Sequence, residues 1–379
     1  MTKKEKICIV TTSRAEYGVI RWLIEEINVS SNFELQLIVT GSHLSPEFGL
    51  TYKEIEKDNI KIDEKIEILL SSSSKVGIAK GMGLCAISIA EAFERLKPRL
   101  IIITGDRYEL LPICSTALIM NIPIAHISGG DITEGAIDNQ IRNAITQIST
   151  FHFPGTNESG KRIIVMGAKK ENVFVVGEPA LDNFNRLDKL SREQLSIDLG
   201  LDIGKNWILM TYHPETNISL ERNMIVVKNI IKCLETQNNS QIIITKSNAD
   251  FGGYQINNFL DEIKDVNNSR FKMFENLGQI RYINILKQVS FMIGNSSSGI
   301  LEAPSIKCPV INVGNRQKGR LLSNNIINST GELSDLQSAI SILDTPEFIS
   351  SLAKTQTPYG DGNSTFKIIE KLNSIYALI

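Results

Sequence analysis

The sequence predicts an α/β protein of two doubly wound parallel-sheet domains. Three observations carry that reading. Short β-branched runs alternate with longer stretches of helical period, the pattern of strand–helix–strand units. Several strand runs, Leu100-Ile101-Ile102-Ile103 among them, are apolar throughout, as strands covered on both faces must be. The chain has 379 residues, against about 100–200 for a typical domain, which makes two domains the natural division.

In chain order, the first half predicts strands at Ile7–Thr11, Leu35–Thr40, Leu100–Thr104, Pro123–Ile127, Phe151–Phe153 and Val173–Val176. Helical period runs between them over Ile78–Leu96, Leu110–Asn121 and Ile137–Ser149. The last of these carries a core stripe at Ile137, Ile141, Ala144, Ile145 and Ile148, the spacing of one buried helix face. The pattern pauses at Gly177-Glu178-Pro179 and restarts with strands at Trp207–Thr211, Gln241–Thr245, Phe291–Ile293 and Pro309–Val313. Leu220–Glu235 and Gln279–Gln288 are the intervening helices. The expected boundary lies near residue 178, with residues 1–177 in the first domain and 178–362 in the second. A C-terminal helix within 363–379 completes the first.

Forty Lys and Arg against 42 Asp and Glu give a net charge of −2. That balance argues against a dominant basic face for nucleic acid, yet permits a local basic pocket for a small anion. The five cysteines show no C-x-x-C spacing, which argues against a disulfide framework or a cysteine-rich zinc site. The apolar run after Met1–Glu5 is only about four residues long, too short for a signal-peptide core, and no uninterrupted apolar run approaches about 18 residues. The expectation is a soluble, cytoplasmic protein with neither a membrane nor a nucleic acid as partner.

In an open parallel sheet, ligands bind beyond the carboxyl ends of the strands, so the polar residues that follow each strand are the candidates. After the first strand comes Ser13-Arg14-Ala15-Glu16-Tyr17-Gly18. Arg14 there either grips a phosphate or uracil with its planar fork or caps a helix at the surface. After Leu100–Thr104 comes Gly105-Asp106-Arg107, either a proton-transferring carboxylate beside a substrate-binding cation or a structural ion pair. After Pro123–Ile127 comes Ser128-Gly129-Gly130-Asp131, with Glu134 and Asp138 close behind. These carboxylates either cap the next helix or gather with Asp106, where neighbouring like charges separate acid and base roles. His43, in Gly41-Ser42-His43-Leu44-Ser45, also follows a strand.

In the second half the corresponding segments are Tyr212-His213-Pro214-Glu215, Lys246-Ser247-Asn248-Ala249-Asp250, and Gly294-Asn295-Ser296-Ser297-Ser298-Gly299 leading to Glu302. A Gly/Ser loop opening a helix offers free N–H groups and hydroxyls to a phosphate, and an acid just inside it can accept from ribose hydroxyls. The basic turn Arg316-Gln317-Lys318-Gly319-Arg320 follows the next strand. Gly155 to Lys161 imitates a P-loop as far as the lysine, but Arg162 stands where a magnesium-binding Ser or Thr is needed.

Taken together and in order, these motifs resemble the UDP-N-acetylglucosamine 2-epimerase family, in its hydrolysing bacterial sialic-acid and legionaminic-acid branch. The resemblance implies a glycosyltransferase-B-like fold, two Rossmann-like domains with a central cleft. It implies a UDP-sugar substrate, no cofactor and no metal, and a homodimer or homotetramer. It assigns Asp106, Asp131 and Asp138 to acid/base work. His213, Asn248, Ser296, Ser297, Glu302, Arg316 and Arg14 become nucleotide contacts, Arg107 a contact near the sugar or diphosphate, and His43 a further substrate-binding residue. The implied reaction converts UDP-N-acetylglucosamine and water to N-acetylmannosamine and UDP through 2-acetamidoglucal. The alternative is the same chemistry on UDP-N,N'-diacetylbacillosamine; readings of another class are a glycosyltransferase or a non-catalytic UDP-sugar-binding regulator. The sequence departs from the family at Ser128, Asp131, Asn143 and Thr150, thinning the histidines around the acid/base helix.

Overall fold

The computed structural model describes residues 4–70, 74–133, 137–215, 217–247, 252–266 and 270–376. Two compact units divide at residues 182/183 and 358/359, so the C-terminal helix Ser364–Tyr376 belongs with the N-terminal unit, while Ile132 and Thr133 group with the second.

The first unit holds a six-stranded sheet: β1 (Glu5–Thr11), β2 (Phe33–Thr40), β3 (Glu64–Ile66), β4 (Leu100–Thr104), β5 (Ile124–Ile127) and β6 (Phe151–Phe153). Its order is β3-β2-β1-β4-β5-β6, parallel at every pairing. Every residue of β4 is buried, as its apolar run requires. Among the described residues, the α-helices between and after these strands are α1 (Arg14–Val29), α2 (Tyr52–Lys57), α3 (Lys75–Leu96), α4 (Leu110–Ile119), α5 (Asp138–Ile148) and α6 (Asn157–Val165). One sheet face packs on Ile20, Leu23, Ile24 and Ile27 of α1 together with Ile368, Leu372 and Ile375 of the C-terminal helix. The other face packs on Cys85, Ile89 and Phe93 of α3, on α4, and on Ile141 and Ile145 of α5. Helix α3 is apolar and long enough to cross a membrane by composition; Cys85, Ile89, Ala92 and Phe93 on it are buried in the core, while Val76, Leu84 and Ile87 are exposed.

The second unit repeats the plan with β7 (Asn206–Thr211), β8 (Ser240–Thr245), β9 (Phe271–Phe274), β10 (Phe291–Gly294), β11 (Val310–Val313) and β12 (Ile326–Ser329). The order is β12-β11-β10-β7-β8-β9, again parallel throughout. Its helix Leu220–Glu235 buries Val226, Val227, Ile230, Ile231 and Leu234 against the sheet. The predicted strand Val173–Val176 is not one: Val173 makes a single bridge to His152, and the Phe174 and Val176 N–H groups bond back to the β6 segment. The three-residue β6 is too short to template a full partner.

In both sheets the strand order reverses once, between β1 and β4 and between β7 and β10. Loops leaving such a switch point splay to opposite faces and open a crevice at the strand ends.

Candidate active site

In the first unit, Ser13 caps α1 by accepting the Glu16 N–H. The Glu16 carboxylate turns back to accept the Thr12 N–H at 2.6 Å and the Thr12 hydroxyl at 2.8 Å. Arg14, the first residue of α1, is exposed beside this cap. Burial raises the Glu16 pKa to about 7, against the opposing pull of Arg107 and of the Thr12 hydrogen bonds. At the end of β4, Arg107 donates to Glu109 from Nη2 at 2.8 Å and from Nε at 3.2 Å, a two-point grip on a carboxylate that is 1% exposed. Burial works against the Arg107 charge, but Glu109, with Glu16 also near, outweighs it and raises the pKa. Gly41 sits at φ +60°, and a Cβ there would come 2.7 Å from the Thr12 carbonyl and 3.3 Å from Glu109. Only glycine lets the β2 end lie this close to the loops of β1 and β4.

His43 is fully buried, with Nε2 on the Thr11 hydroxyl at 3.1 Å and Nδ1 on the Thr51 hydroxyl at 2.8 Å. Burial lowers its pKa to about 4. It ties strand ends together inside the unit, and both ring nitrogens are engaged there.

Asp106 and the backbone of Asp131 meet at one side chain that the motifs did not single out, four residues along the same helix from Asp138. Arg142, on α5 one turn after Asp138, is 4% exposed. It donates from Nη2 to the Asp106 carboxylate and from Nη1 to the Asp131 carbonyl at 2.8 Å. The Asp131 carboxylate also accepts the Ser159 hydroxyl, and Arg162 donates to the Gly130 carbonyl. The signal for Arg142 was its place four residues after Asp138, on the same helix face. Glu16 was signalled by the S-x-x-E capping spacing from Ser13. Among the described residues, no group of three or more His, Cys, Asp and Glu converges as metal ligands.

In the second unit the loops of β7, β10 and β11 knit together through Asn295, which is fully buried. Its Oδ1 accepts the His213 N–H at 2.7 Å, and its Nδ2 donates to the His213 carbonyl at 2.8 Å. Its own carbonyl accepts Gln317 Nε2 at 2.8 Å and Arg316 Nη1 at 3.3 Å. Burial, with Arg316 nearby, lowers the His213 pKa to about 3, so a neutral imidazole stands at the end of β7. Glu215 accepts the Asn315 N–H at 3.0 Å and packs where a Cβ on Gly314 would sit. Burial raises its pKa against the pull of that N–H and of Arg316. Ser296 and Ser297 are partly exposed ahead of the short helix Ser298–Leu301, and Glu302 ends it. Burial raises the Glu302 pKa, against a hydrogen bond from Ser298. The structure therefore brings His213, Ser296, Ser297, Glu302 and Arg316 to one switch point; Asn248 lies outside the described residues.

A family model described as UDP-N-acetylglucosamine 2-epimerase matches residues 25–373. The chain is 43% identical over 345 residues to a GDP/UDP-N,N'-diacetylbacillosamine 2-epimerase (hydrolyzing) of Campylobacter jejuni, covering 91% of this chain and 89% of the relative. It is 32% identical to the UDP-N,N'-diacetylbacillosamine 2-epimerase (hydrolyzing) of Legionella pneumophila, over 98% and 96% of the two chains. Its fold matches the crystal structure of UDP-GlcNAc 2-epimerase from Neisseria meningitidis bound to UDP-GlcNAc, with a TM-score of 0.84 at 18% identity, covering 97% and 100% of the two chains.

Proposed function

The chain belongs to the UDP-N-acetylglucosamine 2-epimerase family, and within it we propose that the chain is a hydrolysing 2-epimerase of UDP-N,N'-diacetylbacillosamine. The products are UDP and free 2,4-diacetamido-2,4,6-trideoxymannose. The observation that carries the chemistry is that the buried guanidinium of Arg142, four residues after Asp138 on α5, joins the Asp106 carboxylate to the backbone of Asp131. For the sugar, the Campylobacter and Legionella relatives favour diacetylbacillosamine over the N-acetylglucosamine that motif resemblance alone puts first.

One carboxylate takes the proton from sugar C2. The electron pair of that C–H bond forms the C1=C2 double bond while the C1–O bond breaks, and UDP leaves with its electrons. Water then adds its oxygen to C1 and gives up a proton, while a second carboxylic acid protonates C2 on the opposite face. The sum is UDP-sugar plus water to UDP plus the 2-epimer. Carboxylates serve because each step moves one proton at carbon, and neighbouring acids divide donor and acceptor roles. Arg107, held from behind by Glu109, meets the anionic end of the substrate with Arg14. In the second unit, Ser296, Ser297 and Arg316 hold the diphosphate, Glu302 the ribose, and neutral His213 stands beside them. Fixed donors aimed at the departing diphosphate stabilise the charge that develops as it leaves.

The test is product analysis in deuterated water. UDP release from UDP-N,N'-diacetylbacillosamine, with one deuterium at C2 of the free sugar, is the expected outcome. Its kcat/KM should exceed that for UDP-N-acetylglucosamine by about tenfold or more, as expected when a site hydrogen-bonds a group that one substrate lacks. A reversed preference, with N-acetylmannosamine as product, returns the chain to the sialic-acid branch. The Campylobacter relative is named for GDP as well as UDP, so the GDP-sugar is the informative second substrate. UDP release only with an acceptor would indicate a glycosyltransferase, and binding without release a regulator.

A further inference from the structure

We propose that Arg142 is a positioning residue for the acid/base carboxylates, and that Thr146 and His126 hold the helix that carries it in register. The inference rests on the reaction proposed above. Asp138, Arg142 and Thr146 recur every four residues along α5, so their side chains share one face. Arg142 reaches two strand ends at once, the Asp106 side chain beyond β4 and the Asp131 backbone beyond β5. A planar guanidinium does this with a fixed angle between its two donors, which a lysine cannot reproduce.

One turn further along, the Thr146 hydroxyl, 3% exposed, meets His126 Nδ1 at 3.2 Å. The other ring nitrogen, Nε2, lies 2.8 Å from the carbonyl of Gly105, the residue before Asp106. A carbonyl only accepts, so Nε2 carries the proton and Nδ1 accepts from the threonine. Burial lowers the His126 pKa to about 3, which keeps that ring neutral. The same ring lies under the Asp131 loop, since a Cβ on Gly129 would come 2.8 Å from Nδ1. Helix α5 is thus fastened to the β4 end twice, through the side chain of Asp106 and through the backbone of Gly105.

Packing alone does not call for these ties. Ile141 and Ile145 already bury α5 in the core of the unit. What the ties add is aim: the relative placement of Asp106, Asp131 and Asp138, on which proton transfer to and from one carbon depends.

Three variants test this: Arg142→Lys, Arg142→Ala and Thr146→Val, the last preserving side-chain shape. With UDP-N,N'-diacetylbacillosamine, R142K should lose about 100-fold in kcat, the cost of misplacement on the order of 1 Å. UDP affinity should stay within threefold of wild type. T146V should lose about tenfold in kcat, and added guanidinium should restore part of the turnover of R142A. Independently of turnover, amide hydrogen exchange at residues 105–107 and 129–131 of unliganded R142K should accelerate while the rest of the first unit is unchanged. R142K with kcat within threefold of wild type, a fall in UDP affinity matching the fall in kcat, or unchanged exchange in those loops overturns the inference. Wild-type protein that releases no UDP from either sugar overturns the reaction instead, and the exchange measurement then decides the positioning role.

Discussion

Glu16 is a carboxylate that the fold holds near its titration point. Its folded pKa of about 7 lies above the ordinary value of 4.5, because burial at 7% exposure disfavours the charge more than Arg107 and Thr12 favour it. The folded state therefore binds this proton more tightly than the unfolded chain does. The resulting stability is complete below about pH 4.5 and is lost as pH rises through about 7. With two to three pH units between the two values, the loss is on the order of 3 kcal/mol. Glu16→Gln keeps the shape and the acceptor for Thr12 and has no proton to lose. Urea unfolding at pH 5 and pH 8 should show the wild type weakening across that interval and Glu16→Gln nearly flat. Equal slopes for the two proteins would remove Glu16 as the cause.

Asp106 carries the second residue-scale prediction. Asp106→Asn should cut turnover by about 10²–10⁴-fold, the usual contribution of a positioned acid or base. UDP binding, measured by calorimetry, should persist, since Asp106 is not among the residues proposed to hold the nucleotide. Loss confined to binding would instead place Asp106 with the ligand contacts. Asp106 was legible in the sequence because it follows a strongly apolar strand, and Asp138 because it opens an amphipathic helix. Arg142 was not, because an arginine one turn into a helix reads as a solvated residue until α5 is known to turn that face toward the β4 end. His43 is a strand-end histidine whose two ring nitrogens meet the Thr11 and Thr51 hydroxyls, a pairing that spacing alone does not reveal.

At the scale of elements, strand ends set the site, and glycine decides how closely they approach. Gly294 ends β10 at φ +137°, and a Cβ there would overlap the Thr211 carbonyl at the end of β7. Gly294→Ala must push β10 away from β7 at the point where Asn295 joins their loops. The expected cost is about 2–4 kcal/mol of stability, from backbone strain and overpacking together. The UDP dissociation constant should rise as His213 and Ser296 separate. Chemical denaturation and UDP titration of that variant check both, and wild-type values in both would show that the loop adapts. The central strands β1, β4, β7, β8 and β10 were legible because burial on both faces leaves an apolar run. The edge strands β3, β9 and β12 were missed, since half-exposed edges such as Lys272 and Asn328 dilute that signal. Val173–Val176 failed for the reverse reason: its composition suits a strand, but β6 offers too short a partner.

At the scale of the molecule, both units follow one plan, a six-stranded parallel sheet whose order reverses once, with the candidate-site loops at and beside the reversal. The plan is shared but the loops are not. Carboxylates with their buried arginine lie at the β4 and β5 ends, and a serine loop with a basic turn lies at the β10 and β11 ends. A net charge of −2 hides this division, because acidic and basic side chains cancel in the sum. If UDP is held by the second unit, its effect must be lopsided. At 100 times its dissociation constant, a ligand adds about 2.7 kcal/mol to the stability of the state that binds it. Amides of the second unit that exchange only through unfolding should then slow by about 100-fold, with added protection at residues 211–215, 294–302 and 314–320. The core amides of β1 and β4 should change far less, since their apolar cores are built from other residues. No added protection at residues 211–215, 294–302 and 314–320, with protection confined to the first unit, would remove the nucleotide from the serine loop, and the assignment of Ser296, Ser297 and Arg316 would fall with it.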